Sequence, residues 1–245
     1  MTTLFISDLH LDPARPHILD QFESFLAGEA RRADALYILG DLVEAWIGDD
    51  DDGPLATRIA VALRALADSG VPIAFIAGNR DFLLGPAYAA RCGMRLLEDG
   101  SVIKLCGQPT LLMHGDTLCT DDVAYQAFRQ QVRDPAWQHQ FLSLPLAERR
   151  AFAARARDAS RDHTGQTDMA IMDVSQSAVD AALRQAGVSR LIHGHTHRPA
   201  SHHFDLAGQA AERIVLGDWY EQGSVLRVSP ATLALATLPT SPTAP

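Results

Sequence analysis

The chain has 245 residues, of which 47% are hydrophobic, and carries 21 Lys+Arg against 30 Asp+Glu for a net charge of −9. That composition is globular rather than disordered or fibrous, and a domain of this length buries roughly 70–75% of its unfolded surface without disulfides. The acidic balance argues against a protein that lives on nucleic-acid phosphate.

Thr3-Leu4-Phe5-Ile6-Ser7 predicts a short buried strand, and Pro16 then opens a helix whose apolar face runs through Leu19, Phe22, Leu26 and Ala30. A second buried strand follows at Ala35–Leu39. Pro54 opens another helix with Ile59, Leu63 and Leu66 on one face, and Gly70 ends it before a third strand over Val71–Ala77. Alternating strands and helices imply parallel pairing. Ser101–Leu105, Pro109–Met113, Arg190–Ile192, Arg213–Leu216 and Ser224–Val228 predict further strands, with more antiparallel candidates in the second half. Between the halves, 121–166 holds no strand but shows helical spacing at Phe128/Val132, Trp137/Phe141 and Leu146/Phe152. It predicts a helical insertion, of the kind that forms lids or substrate walls at strand ends. One domain over 1–238 is expected, with a disordered Pro/Thr/Ser-rich tail at 239–245.

No stretch approaches the roughly 18 unbroken apolar residues of a spanning helix, and Met1-Thr2-Thr3 opens no basic leader, so a cytoplasmic chain is expected. Cys92, Cys106 and Cys119 form no CxxC pair, which speaks against a disulfide framework or a thiolate metal site.

The informative residue is histidine, present ten times. Asp8-Leu9-His10, Gly40-Asp41, Gly78-Asn79-Arg80-Asp81, His114-Gly115-Asp116 and Gly194-His195-Thr196-His197 each follow a predicted strand. In an α/β sheet the carboxyl ends of parallel strands converge on one edge, where ligands bind. Asp8, His10, Asp41, Asn79, His114, His195 and His197 then face one cleft: too many donors for one ion, and a suitable set for two. A shared carboxylate holds two such ions about 3.5–4 Å apart. Taken singly, an Asp-x-His is more often a cap and a Gly-Asp an ordinary turn; it is their joint occurrence at strand ends that points to a dinuclear centre.

These segments, in this order, resemble the calcineurin-like metallophosphoesterases. Gly40 to Asp50, Gly78-Asn79-Arg80-Asp81, Ile171-Met172-Asp173-Val174 and His193-Gly194-His195-Thr196-His197-Arg198-Pro199 are similar to one branch, the pyrophosphatases that cleave UDP-2,3-diacylglucosamine in lipid A biosynthesis. The resemblance spans about 1–238. It implies an α/β fold of four layers, two mixed sheets face to face with helices outside, and an inserted helical lid.

By the same resemblance Asp8, His10, Asp41 and His197 hold one metal, and Asp41, Asn79, His114 and His195 the other, with Asp41 as bridge. Carboxylate, amide and imidazole ligands suit Mn²⁺ or a similar ion, and the family points to two Mn²⁺. The implied reaction is attack of water on the α-phosphorus, giving UMP and 2,3-diacylglucosamine 1-phosphate. Asp41, Asn79, Arg80, His114 and His195 carry the catalysis. Asn79, Arg80, Asp122, Ser160, Thr164, Thr167 and His195 contact substrate, although the family often has lysine where Thr167 stands.

Arg80 occupies a position where many superfamily members have a histidine that protonates a departing alkoxide. An arginine cannot release a proton at physiological pH. It suits a leaving phosphate monoester, whose last pKa of about 6 lets it depart unprotonated, and its donors face the phosphoryl oxygens. A surface ion pair with Asp81 is the plainer reading.

Phe128, Val132, Trp137, Phe141, Leu142 and Phe152, with Arg129, Arg133, Arg149, Arg150, Arg155 and Arg157, describe either a lid packed on the core with solvated arginines or an acyl-chain groove resting on anionic headgroups. The second reading makes a monomer attached peripherally to the cytoplasmic face of the inner membrane. Asp49–Asp52 reads as a solvated turn before the Pro54 helix rather than a calcium site. His202 and His203 read as surface residues, His193 as a donor behind the ligands, and Trp46 as a neighbour of the site. Two other functions fit the same core: a broader phosphodiesterase or nucleotide pyrophosphatase on soluble substrates, and a scaffold that binds no metal.

Overall fold

The structure is a computed structural model that describes residues 2–166 and 173–238, with the side chains of 159–166 excepted. Thr167 and the tail at 239–245 lie outside the described residues, as do Ile171 and Met172.

The first half runs β1 (Thr3–Ile6), α1 (Pro16–Ala27), β2 (Ala35–Leu39), α2 (Pro54–Asp68), β3 (Ile73–Ile76), α3 (Pro86–Cys92) and β4 (Met94–Leu97). Prolines at the first helical positions start α1, α2 and α3, where the missing N–H has no intrahelical partner to lose. β5 (Ser101–Leu105) and β6 (Gln108–Met113) form a hairpin, and α4 (Val123–Val132), α5 (Pro135–Leu142) and α6 (Leu146–Gln166) follow it. The chain closes with α7 (Gln176–Ala186), β7 (Arg190–His193), β8 (Ala200–Leu206), β9 (Gln209–Val215), β10 (Gly223–Ser229) and β11 (Thr232–Leu238).

One sheet has the order β11-β10-β1-β2-β3-β4 and the other β5-β6-β7-β9-β8. β1 to β4 pair in parallel, as do β6, β7 and β9, while the remaining strands add antiparallel edges. Alternate residues of each central strand face opposite sides and so build three cores. Phe5, Leu39, Ile76, Leu112, Ile192, Ile214 and Leu226 fill the space between the sheets. Leu4, Ile6, Ile38 and Phe75 pack instead under α1, α2 and α3, and Leu111 and Leu191 under α7. The result is the expected four-layer α/β/β/α sandwich.

α3, β4, α7 and β11 were not read from the sequence. α3 and β4 are short, and Thr232–Leu238 is an Ala/Leu run compatible with a helix until seven residue pairs with β10 make it a strand. β9 begins four residues before the expected Arg213, because its first half is the exposed arm of a hairpin with β8.

The described part of the insertion is the three helices α4, α5 and α6 joined by short turns, and Trp137, Phe141 and Phe152 join the core beneath the first sheet, with ring centroids 4.9 Å apart for Trp137/Phe141 and 5.2 Å for Phe141/Phe152. Arg149 turns fully inward and Arg129, Arg133 and Arg157 partly so, whereas Arg150 and Arg155 stay exposed as the solvated reading expects. Arg149 is only 2% exposed, donating to Ile47 O at 2.7 Å and Leu144 O at 3.0 Å and gripping both carboxylate oxygens of Asp50. Arg150 pairs with Asp51 at 2.8 Å, Arg157 with Asp12 at 3.5 Å and Arg129 with Asp116 at 2.7 Å, while Arg133 donates to Gly78 O at 2.9 Å. Asp49 accepts from the backbone N–H groups of Gly85 and Tyr88, both at 2.9 Å. The acidic run is therefore a clasp for α3 and α6 rather than a solvated turn; each carboxylate in it, Asp52 apart, has a specific donor. Among the described residues no helix is long and apolar enough to cross a membrane.

The hydrogen bonds from Arg149 hold the Asp50 carboxyl below the usual carboxylate range. A depressed carboxyl stabilises above its unfolded pKa, and that contribution is lost as pH falls through the folded value. Amide exchange in residues 146–158, corrected for intrinsic rates, is thus expected to be the same at about pH 7 and about pH 5 and to rise in more acid solution. Arg149→Met raises it at every pH, with the strands of the sandwich unaffected.

Candidate metal centre

The loops after β1, β2 and β3 on one sheet, and after β6 and β7 on the other, meet at one edge of the sandwich. Parallel pairing continues past the strands into these loops: Asp8 N–H donates to Gly40 O at 3.0 Å, His10 N–H to Asp41 O at 2.9 Å, and Gly194 N–H to His114 O at 2.8 Å. His195 N–H donates to Asp8 Oδ2 at 2.9 Å and so ties the second sheet to the first.

Among the described residues seven non-glycines have positive φ, and five of them are here: Asp8 (55°), His10 (47°), Asp41 (53°), His195 (68°) and His197 (56°). A left-handed conformation costs an L-residue roughly 1–2 kcal/mol. Such strain persists only where surrounding contacts enforce it, and it marks functional sites. It turns successive side chains towards one point instead of alternating them across a strand. Two glycines let the loops approach closely: a Cβ on Gly78 would overlap Asp41 Oδ1 and Asp41 N, and one on Gly194 would overlap Asp8 Oδ2 and Ser7 Oγ.

Asp81 is buried and accepts from Leu42 N–H and Gly78 N–H, both at 2.7 Å, so it fastens the β2 loop to the β3 loop. These bonds, rather than the plain surface pairing with Arg80, define its place. Burial and the neighbouring Asp41 push its carboxyl up to about 7.

The seven residues singled out in the sequence form two groups. In the first, Nε2 of His197 lies 3.4 Å from Asp8 Oδ1 and 3.3 Å from His10 Nε2, which is 3.7 Å from Asp41 Oδ2. In the second, Asn79 Oδ1 is 2.9 Å from His114 Nε2 and 3.0 Å from His195 Nδ1, while His114 Nε2 is 3.7 Å from Asp41 Oδ1. The two oxygens of Asp41 thus address different groups. Asp8 reaches further than expected: atoms of Asp8, His10 and His197 lie within 4.8 Å of one another, and so do atoms of Asp8, Asp41 and His114.

Asp8 and Asp41 are 0% and 2% exposed. Burial raises the Asp8 carboxyl, but the His197 contact and the charges of His197, His114 and His10 outweigh it and hold Asp8 well below the usual range. At His114 burial lowers the imidazole, yet Asp41, Asp116 and Asp8 together push it up to about 9. Burial, with His114 beside it, drives His195 down to about 4. The pocket is therefore rich in negative charge that calls for cations, and Asp8 Oδ1 is buried with no hydrogen-bond donor. Oxygen and imidazole donors without a thiolate, converging on buried carboxylates, fit divalent ions.

Arg80 is anchored by its backbone, N–H to Asp41 Oδ1 at 2.8 Å and O from Trp46 N–H at 2.9 Å. Its side chain and Asn79 line a cleft of about 330 Å³ whose other walls include Trp46, Phe82, Tyr125, Phe128 and Phe152. Asp122 is nearly buried and caps α4 by accepting from Tyr125 N–H at 3.0 Å. Ser160 and Thr164 lie on α6, in the stretch whose side chains are not described. Asp173, from the segment that follows, pairs with Arg198 at 2.5 Å and joins it to the histidine loop.

His193 is buried, with Nε2 3.3 Å from Arg213 Nη1 and Nδ1 2.8 Å from Gly194 O. Because Arg213 can only donate, Nε2 accepts and Nδ1 carries the proton. Burial and Arg213 push this imidazole down to about 3, so it stays neutral and braces the loop that carries His195. His202 and His203 are exposed on the edge strand β8, as expected. Sequence reasoning missed Tyr220, stacked on His10 at 5.0 Å, and Asp116, buried and bonded to Tyr125 at 2.7 Å. Tyr220 follows β9 with no spacing signal, whereas Asp116 stood in a quoted segment with nothing to mark its partners.

The family model of the calcineurin-like phosphoesterases matches residues 1–199. The chain belongs to this family, which implies a divalent metal site at the centre just described. A protein of Stenotrophomonas maltophilia (strain K279a) named UDP-2,3-diacylglucosamine hydrolase is 60% identical over 97% of this chain and 99% of its own. Proteins with the same name from Xanthomonas campestris pv. campestris (strain ATCC 33913) and Xanthomonas axonopodis pv. citri (strain 306) are 59% and 60% identical, over 97% and 93% of this chain and 99% and 95% of theirs.

Gly78→Ala places a methyl group against the Asp41 carboxylate and is expected to displace it. The variant should keep its far-ultraviolet circular dichroism yet retain less divalent metal than the parent after gel filtration, as measured by elemental analysis.

Proposed function

We propose that the chain hydrolyses the pyrophosphate bond of UDP-2,3-diacylglucosamine, releasing UMP and 2,3-diacylglucosamine 1-phosphate. The observation that carries this reading is that Asn79 belongs at once to the cluster of ligand side chains and to the wall of an apolar cleft of about 330 Å³, which its neighbour Arg80 also lines. A phosphoryl group held at the one brings a lipid tail to the other. The names of relatives near 60% identity support the same substrate.

In this reading Asp8, His10, Asp41 and His197 hold one Mn²⁺, and Asp41, Asn79, His114 and His195 hold a second. When bound, such a pair supplies an activated water and neutralises phosphoryl charge. Arg80, fixed by its two backbone bonds, directs its donors at the charge that builds on the phosphoryl oxygens. The group that leaves is a phosphate monoester with a last pKa of about 6, so no side chain has to protonate it. Asp122, Ser160, Thr164 and Thr167 orient the sugar, with His195 beside the phosphate.

Val123, Phe128, Leu142 and Leu144 are exposed on the insertion, Val123 by 73%. They supply an apolar surface through which a monomeric chain, a single domain over 1–238, rests on the cytoplasmic face of the inner membrane and takes substrate from it. Arg150 and Arg155, exposed on the same insertion, add attraction to anionic headgroups.

UMP release from UDP-2,3-diacylglucosamine should require Mn²⁺, stop with chelator, and be absent with unacylated UDP-glucosamine. Equal turnover of the two would point to a pyrophosphatase of soluble nucleotides instead. Asp41→Ala should reduce activity to background, and Arg80→Ala should lower turnover by about 10²–10³ with the metal content unchanged.

A further inference from the structure

The imidazoles of the two groups are backed differently. Behind His10 stands Glu44, with Oε2 3.2 Å from Nδ1, and behind His197 stands Asp218, with Oδ2 3.7 Å from Nδ1. His114 Nδ1 faces a neutral partner, the Leu39 carbonyl at 2.9 Å, and His195 turns its own Nδ1 towards Asn79. Glu44 and Asp218 therefore stand behind the first group, whereas Asp116, the carboxylate beside the second group, is already engaged by Arg129 and Tyr125, both at 2.7 Å.

The placement of Glu44 follows from the backbone. Parallel pairing of the β1 and β2 loops runs on to an isolated bridge between Leu11 and Val43, and Glu44 N–H donates to Leu11 O at 3.1 Å. That registers Glu44 beside His10 and leaves its side chain 14% exposed. Nδ1 of His10 is buried with no well-aligned hydrogen bond, and the Glu44 carboxylate faces it at 3.2 Å. A carboxylate there favours the proton on Nδ1 and leaves the Nε2 lone pair facing Asp41 and His197. It also raises the basicity of that nitrogen towards a cation.

We infer that Glu44 and, more weakly, Asp218 are positioning residues for the ion held by Asp8, His10, Asp41 and His197, and that the two ions bind with unequal affinity, this one the tighter. The inference rests on the dinuclear reading above and adds to it an order of filling and the residues that set it.

The test is Mn²⁺ titration of the chelator-treated full chain, with free Mn²⁺ read from its electron paramagnetic resonance signal. The wild type should bind two ions in two resolved steps. Glu44→Gln should weaken the tighter step about 10- to 100-fold and leave the other in place. Asp218→Asn should shift the same step by less, and Glu44→Asp, which keeps the charge, should recover part of the loss. Two ions bound with one affinity, or a Glu44→Gln variant that weakens both steps equally, would overturn the inference and leave the dinuclear reading standing. A wild type that binds one ion or none would overturn both.

Discussion

Asp8 and Asp41 sit almost entirely out of water where the two sheets meet, and two carboxylates so close together and so deeply buried cannot stay ionised without positive charge beside them. The neighbourhood is arranged to meet that requirement. Four histidines point inward, His195 N–H holds Asp8, Arg80 N–H holds Asp41, and left-handed backbone at five of the ligand positions aims the side chains at common points. Left unpaired, these carboxylates would each cost several kcal/mol in desolvation. With cations among them the same charges become ligands, which gives the backbone strain a purpose.

The sandwich exists, in this respect, to bring five loops from two sheets to one edge. Neither sheet alone supplies a complete set: Asp8, His10, Asp41 and Asn79 follow strands of the first, and His114, His195 and His197 follow strands of the second. The core between the sheets, built from Phe5, Leu39, Ile76, Leu112 and Ile192, is therefore what sets the distances within the site. Close packing there makes those distances stiff.

The insertion is bound to this frame by charge as well as by aromatic packing. Arg129 and Arg133 tie α4 to the loops after β6 and β3, while Arg149, Arg150 and Arg157 tie α6 to the loops after β2 and β1. The apolar cleft opens between these two helices, so its walls are referenced to the same loops that carry the ligands. That arrangement lets recognition of an apolar group and chemistry at phosphorus share one geometry.

Strand ends followed by Asp-x-His, Gly-Asp, Gly-Asn, His and Gly-His-x-His were legible in the chain itself, because a metal centre needs particular donor atoms and parallel strands deliver them to one edge. So were the central strands, α1, α2 and the helical insertion, whose apolar periodicity is a local property. The tertiary structure alone decided what depends on contacts across the chain. Thr232–Leu238 became a strand by pairing with β10, and the Asp49–Asp52 run became a clasp because arginines a hundred residues away reach it. Asp81 became a brace between two loops rather than a partner for Arg80, and Glu44 came to stand behind His10 through a backbone register that continues beyond the strands. Residue type fixes what an atom can donate or accept; only the packed fold fixes which atom it meets, since a carboxylate's partner is chosen by distance in space and not along the chain.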